Sequence, residues 1–407
     1  MGSLLVVLII LGCVAYQYLK GTLVKSFVMA ITSICASVVA FGYFELLANF
    51  LISRKIFVPW AYSLSFALLF ALAFAALQAI TTQLTRKPID LGLLPERIGR
   101  VVFGIFLGLI VSGLLLTAAA MAPISPKYPY QRFDATNPDP EKPGKVLPNA
   151  DGFATGWFSI VSSGSFSGKR SFATLHPAFL DQLFLNRHEI DNRISIITSS
   201  EAIEIPKKAV WPAPEGLKDS DGKPIQPKSG HNLTIVRIGM TVQAVRDGGT
   251  FTPSQLRLVC KQESDTKEDP LAGKGKNIYP VGYMKTADEL QIKKLTDHIE
   301  IKNSDLDNNG VKNIDFAFYV PDGFVPVLVE FKQNCINQLP PPVSAEQAPL
   351  VVPFVKPPEV EKVTIEPNKP LEQPNSPPLP KAETSSTQPG LSNVGKSIVG
   401  DQLDANQ

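Results

Sequence analysis

Four apolar runs fill the first third of the chain, at about residues 3 to 19, 24 to 51, 58 to 84 and 98 to 122. Each is near the roughly 20 residues a helix needs to cross a hydrocarbon core. A soluble fold can bury one such helix, but four in succession predict a bundle in a lipid bilayer. The breaks between runs fit that reading. "YLKGTLVKSF", residues 18 to 27, closes the first run with Lys20, Gly21 and Lys25. Glycine admits a tight turn, and lysine ammonium groups resist leaving water. The first run is not read as a signal peptide, because Met1 to Leu11 carries no basic residue.

Basic residues orient the bundle. Lys20 and Lys25 lie in the first loop and Arg86, Lys87, Arg97 and Arg100 around the third, whereas the second has only Arg54 and Lys55. The positive-inside rule then puts the first and third loops in the cytoplasm and everything after the fourth run outside. Glu45 stands about six residues before the end of the second run. It has two readings, an interfacial carboxylate reached by helix tilt or an intramembrane proton or ion site. Thr32, Ser33 and Ser37 in the second run, with Gln78 and Gln83 in the third, either join helices or line a solute path. Gly104-x-x-x-Gly108 has the spacing that lets two helix backbones approach.

"YLKGTLVKSF" followed by "VVAFGYFELLANFL", and "LPERIGRVVFGIFLGLIVSGLL" at 94 to 115, resemble the colicin V production protein family. The matched positions are Lys20, Gly21, Lys25, Glu96, Arg97, Gly99, Gly104 and Gly108, within about residues 3 to 122. The resemblance implies a four-helix protein of the bacterial inner (plasma) membrane, linked to toxin biosynthesis and secretion, with no catalytic residues to carry over. It points to a scaffold or accessory in export or envelope processes. The alternative is a transporter or channel-like protein using the polar residues of spans two and three. Some proteins with a similar module continue into a trypsin-like protease, but "SSGSFSG", 162 to 168, has Phe166 where Gly-x-Ser-x-Gly needs serine. The expectation is a non-enzymatic protein without a cofactor.

After Ala122 the composition changes. "PISPKYPYQRFDATNPDPEKPGKVLPNA", residues 123 to 150, is a Pro-rich linker expected to run extended and hold the next domain off the membrane. Residues 151 to 335 begin with a helix near His176 to Arg187 and then turn to period two. Leu256, Leu258 and Cys260 form one stripe; Ile314, Phe316, Phe318 and Val320 form another. "PDG" predicts a hairpin to a returning stripe of Val325, Val327, Val329 and Phe331. Short strands between turn signals predict an antiparallel, sandwich-like fold, giving a multi-domain chain of four-helix bundle, mainly β domain and tail.

"DLDNNG" offers Asp305, Asp307 and Asn309 at the spacing of a calcium loop, but the twelfth position is Phe316, so the set lacks its closing glutamate. Cys260 and Cys335 either pair in an oxidising compartment or stay buried as thiols. Residues 336 to 407 read as a disordered Pro-rich tail, with "LVVPFV", 350 to 355, its best docking island. A net charge of +2 does not favour nucleic acid. The expected partners are the bilayer and an envelope or secreted protein or peptide, with self-association left open.

Overall fold

A computed structural model describes residues 2–84, 92–164, 168–266 and 269–354. The apolar runs form α1 (Gly2–Lys20), α2 (Leu23–Ser53), α3 (Ala61–Leu84) and α4 (Leu93–Met121), each long and apolar enough to cross a membrane. At the α1–α2 turn the Thr22 hydroxyl caps α2 by accepting the Lys25 N–H. Glu96, in the first turn of α4, accepts the Leu23 N–H at 3.0 Å and pairs with Arg100 at 2.6 Å. Arg100 reaches the Tyr18 carbonyl at 3.3 Å. A carboxylate thus meets the start of α2 and a guanidinium the end of α1, each with the sign the helix dipole favours.

Of the glycines matched in sequence, Gly104 and Gly108 serve the crossing of α4 on α1, and Gly99 meets the start of α2. Gly99 lies against the Leu23 side chain, and a Cβ on Gly104 or Gly108 would stand 2.8 or 2.6 Å from the Cα of Val14 or Ile10. Lys20, Lys25 and Arg97 are exposed, while Arg86 and Lys87 lie outside the described residues. Gly108→Val is expected to force α1 from α4 and cost about 1–3 kcal/mol, as overpacking does. Thermal unfolding in detergent reads this; an unchanged midpoint would mean that the crossing tolerates side chains.

The linker is not a spacer. Tyr130 bonds Asp151, Arg132 Nε donates to Asp181 at 2.5 Å, and Phe133 and Val146 are buried. Its prolines exclude regular ladders, but the aromatic and aliphatic residues between them still gain by burial. It leads into α5 (Ala150–Ser163), α6 (Phe172–Leu175) and α7 (Phe179–Asn186). The helix expected from His176 therefore starts at Phe179, with Thr174 and Leu175 in α6. These helices share a core with the bundle: Phe41, Phe44, Phe66 and Leu114 pack with Phe158, Phe179, Leu183 and Phe184.

Strands follow as β1 (Ile203–Glu204), β2 (Val210–Pro212), β3 (Lys218–Asp219), β4 (His231–Thr241), β5 (Thr250–Phe251), β6 (Leu256–Gln262) and β7 (Lys276–Ile278). The chain continues through β8 (Gly282–Met284), β9 (Glu289–Ile292), β10 (Ile299–Glu300), β11 (Val311–Pro321), β12 (Phe324–Phe331) and β13 (Cys335–Gln338). One sheet has the order β1-β4-β11-β8-β9-β3 with β2 also on β4, and a second has β13-β12-β6-β7. The pairings are antiparallel except for β3 with β9. Both sheets contribute to one core, in which Ile314, Phe316, Phe318 and Val320 meet Leu256, Leu258, Cys260, Val329 and Phe331.

Three expectations change here. "PDG" is a corner between sheets, not a hairpin: β11 pairs with β4 and β8, β12 with β6 and β13. A bulge between Pro326 and Leu328 splits the returning stripe, sending Val325 and Val327 to a separate cluster. The segment from 336 to 354 does not behave as a loose tail. The Val343 N–H donates to Val210, Val352 to Asp315, and Arg237 to the Leu350 carbonyl, while Phe354 packs on Tyr283. The docking island is thus held in cis by its own sheet, and residues beyond 354 lie outside those described.

Candidate functional site

The joint between bundle and β region is built around His176, in the short turn from α6 to α7. Two strand residues grip that turn. Arg257 on β6 donates to the Leu175 carbonyl at 2.8 Å and to Asn277 at 2.6 Å, and Asn277 on β7 donates to the Pro177 carbonyl. The carbonyls flanking His176 are therefore fixed from the sheet. Strand Arg257 also sits directly opposite Glu330 in the β6–β12 ladder, where the two side chains pair. Both are almost fully buried. Burial pushes the Glu330 carboxyl up from its usual range, against the pull of the Arg257 guanidinium.

From Glu330 a polar chain runs to the membrane helices. Gln182 Nε2 donates to Glu330 Oε1 at 2.7 Å and lies 3.2 Å from His176 Nδ1. With Gln182 donating, Nδ1 accepts and the proton of a neutral ring sits on Nε2. That nitrogen stands 2.7 Å from Glu45 Oε1 on α2. The two atoms are close enough for an ion pair when the ring carries a second proton, but out of line for a hydrogen bond. Glu45, singled out in the sequence, thus faces a side chain of the C-terminal region. Tyr62 and Phe44 pack beside it, and Tyr62 donates to Asn49 at 3.3 Å.

Beside His176 opens a cavity of about 260 Å³ whose polar lining includes Arg132, Lys145, Thr155, Ser159 and Asp181. Arg132 is held by Asp181, Tyr130 and the Gly144 carbonyl. These side chains brace the joint. Among the described residues no three His, Cys, Asp or Glu side chains converge on a metal position.

The other sequence candidates do not join this site. Asp305 Oδ2 accepts the Lys302 N–H, and Asp307 Oδ1 accepts those of Asn309 and Val311, so the two carboxylates shape their own loop. Phe316, where a calcium glutamate would stand, is in the sheet core. Cys260 and Cys335 are free and buried rather than bonded, with burial pushing their thiols up to about 12 and about 11. Cys335 donates instead to the Ser200 carbonyl. Ser33 and Ser37 bond carbonyls of their own helix, whereas Thr32 reaches across to Gln78 on α3 at 3.4 Å. Gln83 is exposed.

Sequence reading passed over Gln182, Arg257 and Glu330. A usable signal was present in "VPVLVEF", where a lone carboxylate interrupts an apolar strand. Such a charge demands a partner. Comparisons of the chain with known protein families, with curated proteins and with solved structures found no match.

Proposed function

We propose that this is an integral membrane protein acting without catalysis, a scaffold or accessory in export or envelope processes that presents a binding domain rigidly at the membrane face. The observation that carries this reading is the polar chain from Glu45 through His176 and Gln182 to Glu330 and Arg257, which ties a membrane helix to the sheet. A tether would serve a domain that only needs to stay nearby. A braced joint suits one that must present its surface in a fixed attitude. The resemblance of residues 3 to 122 to the colicin V production family supports a bacterial inner membrane, and the basic residues of the first and third loops support an outward-facing sheet region. The ligand is then an envelope or secreted protein or peptide.

In-cell photocrosslinking tests this on the intact chain, with the photoreactive residue at exposed Ile292 and at Lys218 on the sheet edge. Recovery of one envelope or secreted partner from these positions is expected; crosslinks to lipid alone would remove the scaffold reading. Glu45→Gln separates it from transport. The variant is expected to keep the crosslink, and loss of a solute or proton flux with the crosslink intact would favour a transport path.

A further inference from the structure

Helix α5 stands where the sequence places the start of a soluble domain, yet its neighbours are midway along the membrane helices. A Cβ on Gly113 would collide with the Ala150 carbonyl and stand 2.9 Å from Ala154, and the Phe153 ring lies 5.6 Å from that of Phe106. At 1.5 Å per residue, Gly113 and Phe106 are about 12 and 22 Å below Met121 along α4.

Helix α1 is the ruler that converts this into depth. With 19 residues it is about 28 Å long, barely the thickness of a hydrocarbon core of about 30 Å, so none of it can project if it crosses. Ala150 packs with Val6, which lies about 6 Å inside the Gly2 end of α1. Phe153 reaches deeper still.

The composition of α5 agrees. In "ADGFATGWFSIVSS" the one charged residue is Asp151, which is buried and bonded to Tyr130 and to the Gly152 N–H. Ala154 and Phe158 face the protein, while Trp157 and Ile160 project outward and are exposed. A projecting tryptophan and isoleucine with no charged residue between them in the helix form a surface suited to acyl chains. Fourteen residues span about 21 Å, too short to cross, which is why a length criterion passes the helix by.

We propose that α5 is a fifth membrane-embedded element, a half-span helix seated in the leaflet on the sheet region's side, with Trp157 and Ile160 against lipid hydrocarbon. The proposal rests on the bundle crossing the membrane, as the proposed function does, and the test separates the two. The full chain is placed in liposomes whose lipids carry bromine on the acyl chains, and tryptophan quenching is compared among wild type, Trp60→Phe and Trp157→Phe. Trp211 is buried in the sheet region and gives a constant background. Trp157→Phe is expected to remove a third or more of the quenchable emission and to leave aqueous iodide quenching unchanged. If quenching drops only in Trp60→Phe, the bundle is in the bilayer and α5 is not, and the proposal fails. If Trp157 is shielded from both quenchers and Ile160→Cys crosslinks between chains, a second copy covers the face, and the proposal fails equally. If neither variant alters bromine quenching, the membrane reading falls as well.

Discussion

Arg257→Met should lower the free energy of unfolding by about 3–5 kcal/mol, the cost of stripping one partner from a buried ion pair. Glu330 is 1 % exposed and lies opposite Arg257 in the ladder, so no rearrangement of the surface can bring water to it. The loss extends past the strand. Without the guanidinium the Leu175 carbonyl loses its donor and Asn277 its neighbour, and the turn carrying His176 is freed. Denaturant unfolding in detergent measures the deficit. Arg257→Met with Glu330→Leu should recover most of it, since an apolar pair leaves no buried charge. Failure of the double variant to recover would show that gripping the His176 turn, rather than pairing Glu330, is what Arg257 contributes.

The sign of the pH dependence follows from the same group. Burial already raises the Glu330 carboxyl in the folded chain, and removing Arg257 removes the main opposing influence. An acid whose pKa is higher folded than unfolded binds protons more tightly when folded, so it adds stability as pH falls. The single variant's deficit should therefore shrink on acidification from neutral pH towards the ordinary carboxylate range. A deficit that stays constant would place the loss elsewhere than on Glu330.

What the sequence disclosed follows from which forces act locally. Bilayer thickness fixes span length directly, so α1 to α4 emerge within a few residues of the apolar runs. Side chains along a strand alternate between faces, so Ile314 to Val320 and Leu256 to Cys260 were legible as stripes facing a core. The burial of the opposite faces, Arg257 and Asp315 among them, was not. Pairing is not local. "PDG" has the chemistry of a hairpin turn, and only the competition of β4 for β11 and β6 for β12 makes it a corner. α5 was hidden for another reason: at 14 residues it lacks the length by which membrane segments are recognised. At the site, Glu45 was conspicuous as a charge in an apolar run. Its partner was not, because a histidine in a turn is ordinary until the fold carries it to α2.

Arg187 provides the second large effect, and it tests the joint from the opposite side. Its side chain is completely buried, donating from Nη1 to the Ala119 carbonyl at 2.8 Å and from Nη2 to the Tyr128 carbonyl at 2.5 Å, with Phe184 4.1 Å beneath the guanidinium. Ala119 lies in the last turn of α4, where its carbonyl also accepts the Ala122 N–H at 3.2 Å and a cation is favoured. Burial pulls the Arg187 pKa down to about 10, which still leaves it charged at neutral pH. One side chain therefore seals the end of a membrane helix, pins the linker and packs on α7. Arg187→Met should cost about 3–5 kcal/mol, since each charge-assisted bond is worth roughly 1.5–3 kcal/mol and the two carbonyls stay buried. Arg187→Lys should restore less than half, because a point ammonium on a different stem cannot serve two diverging carbonyls as a planar fork does. Unfolding of the two variants in detergent, followed together with protease sensitivity of the linker, distinguishes the causes. Full rescue by lysine would mean that charge alone holds the joint. Partial rescue with early cleavage between 123 and 150 is what the forked geometry requires.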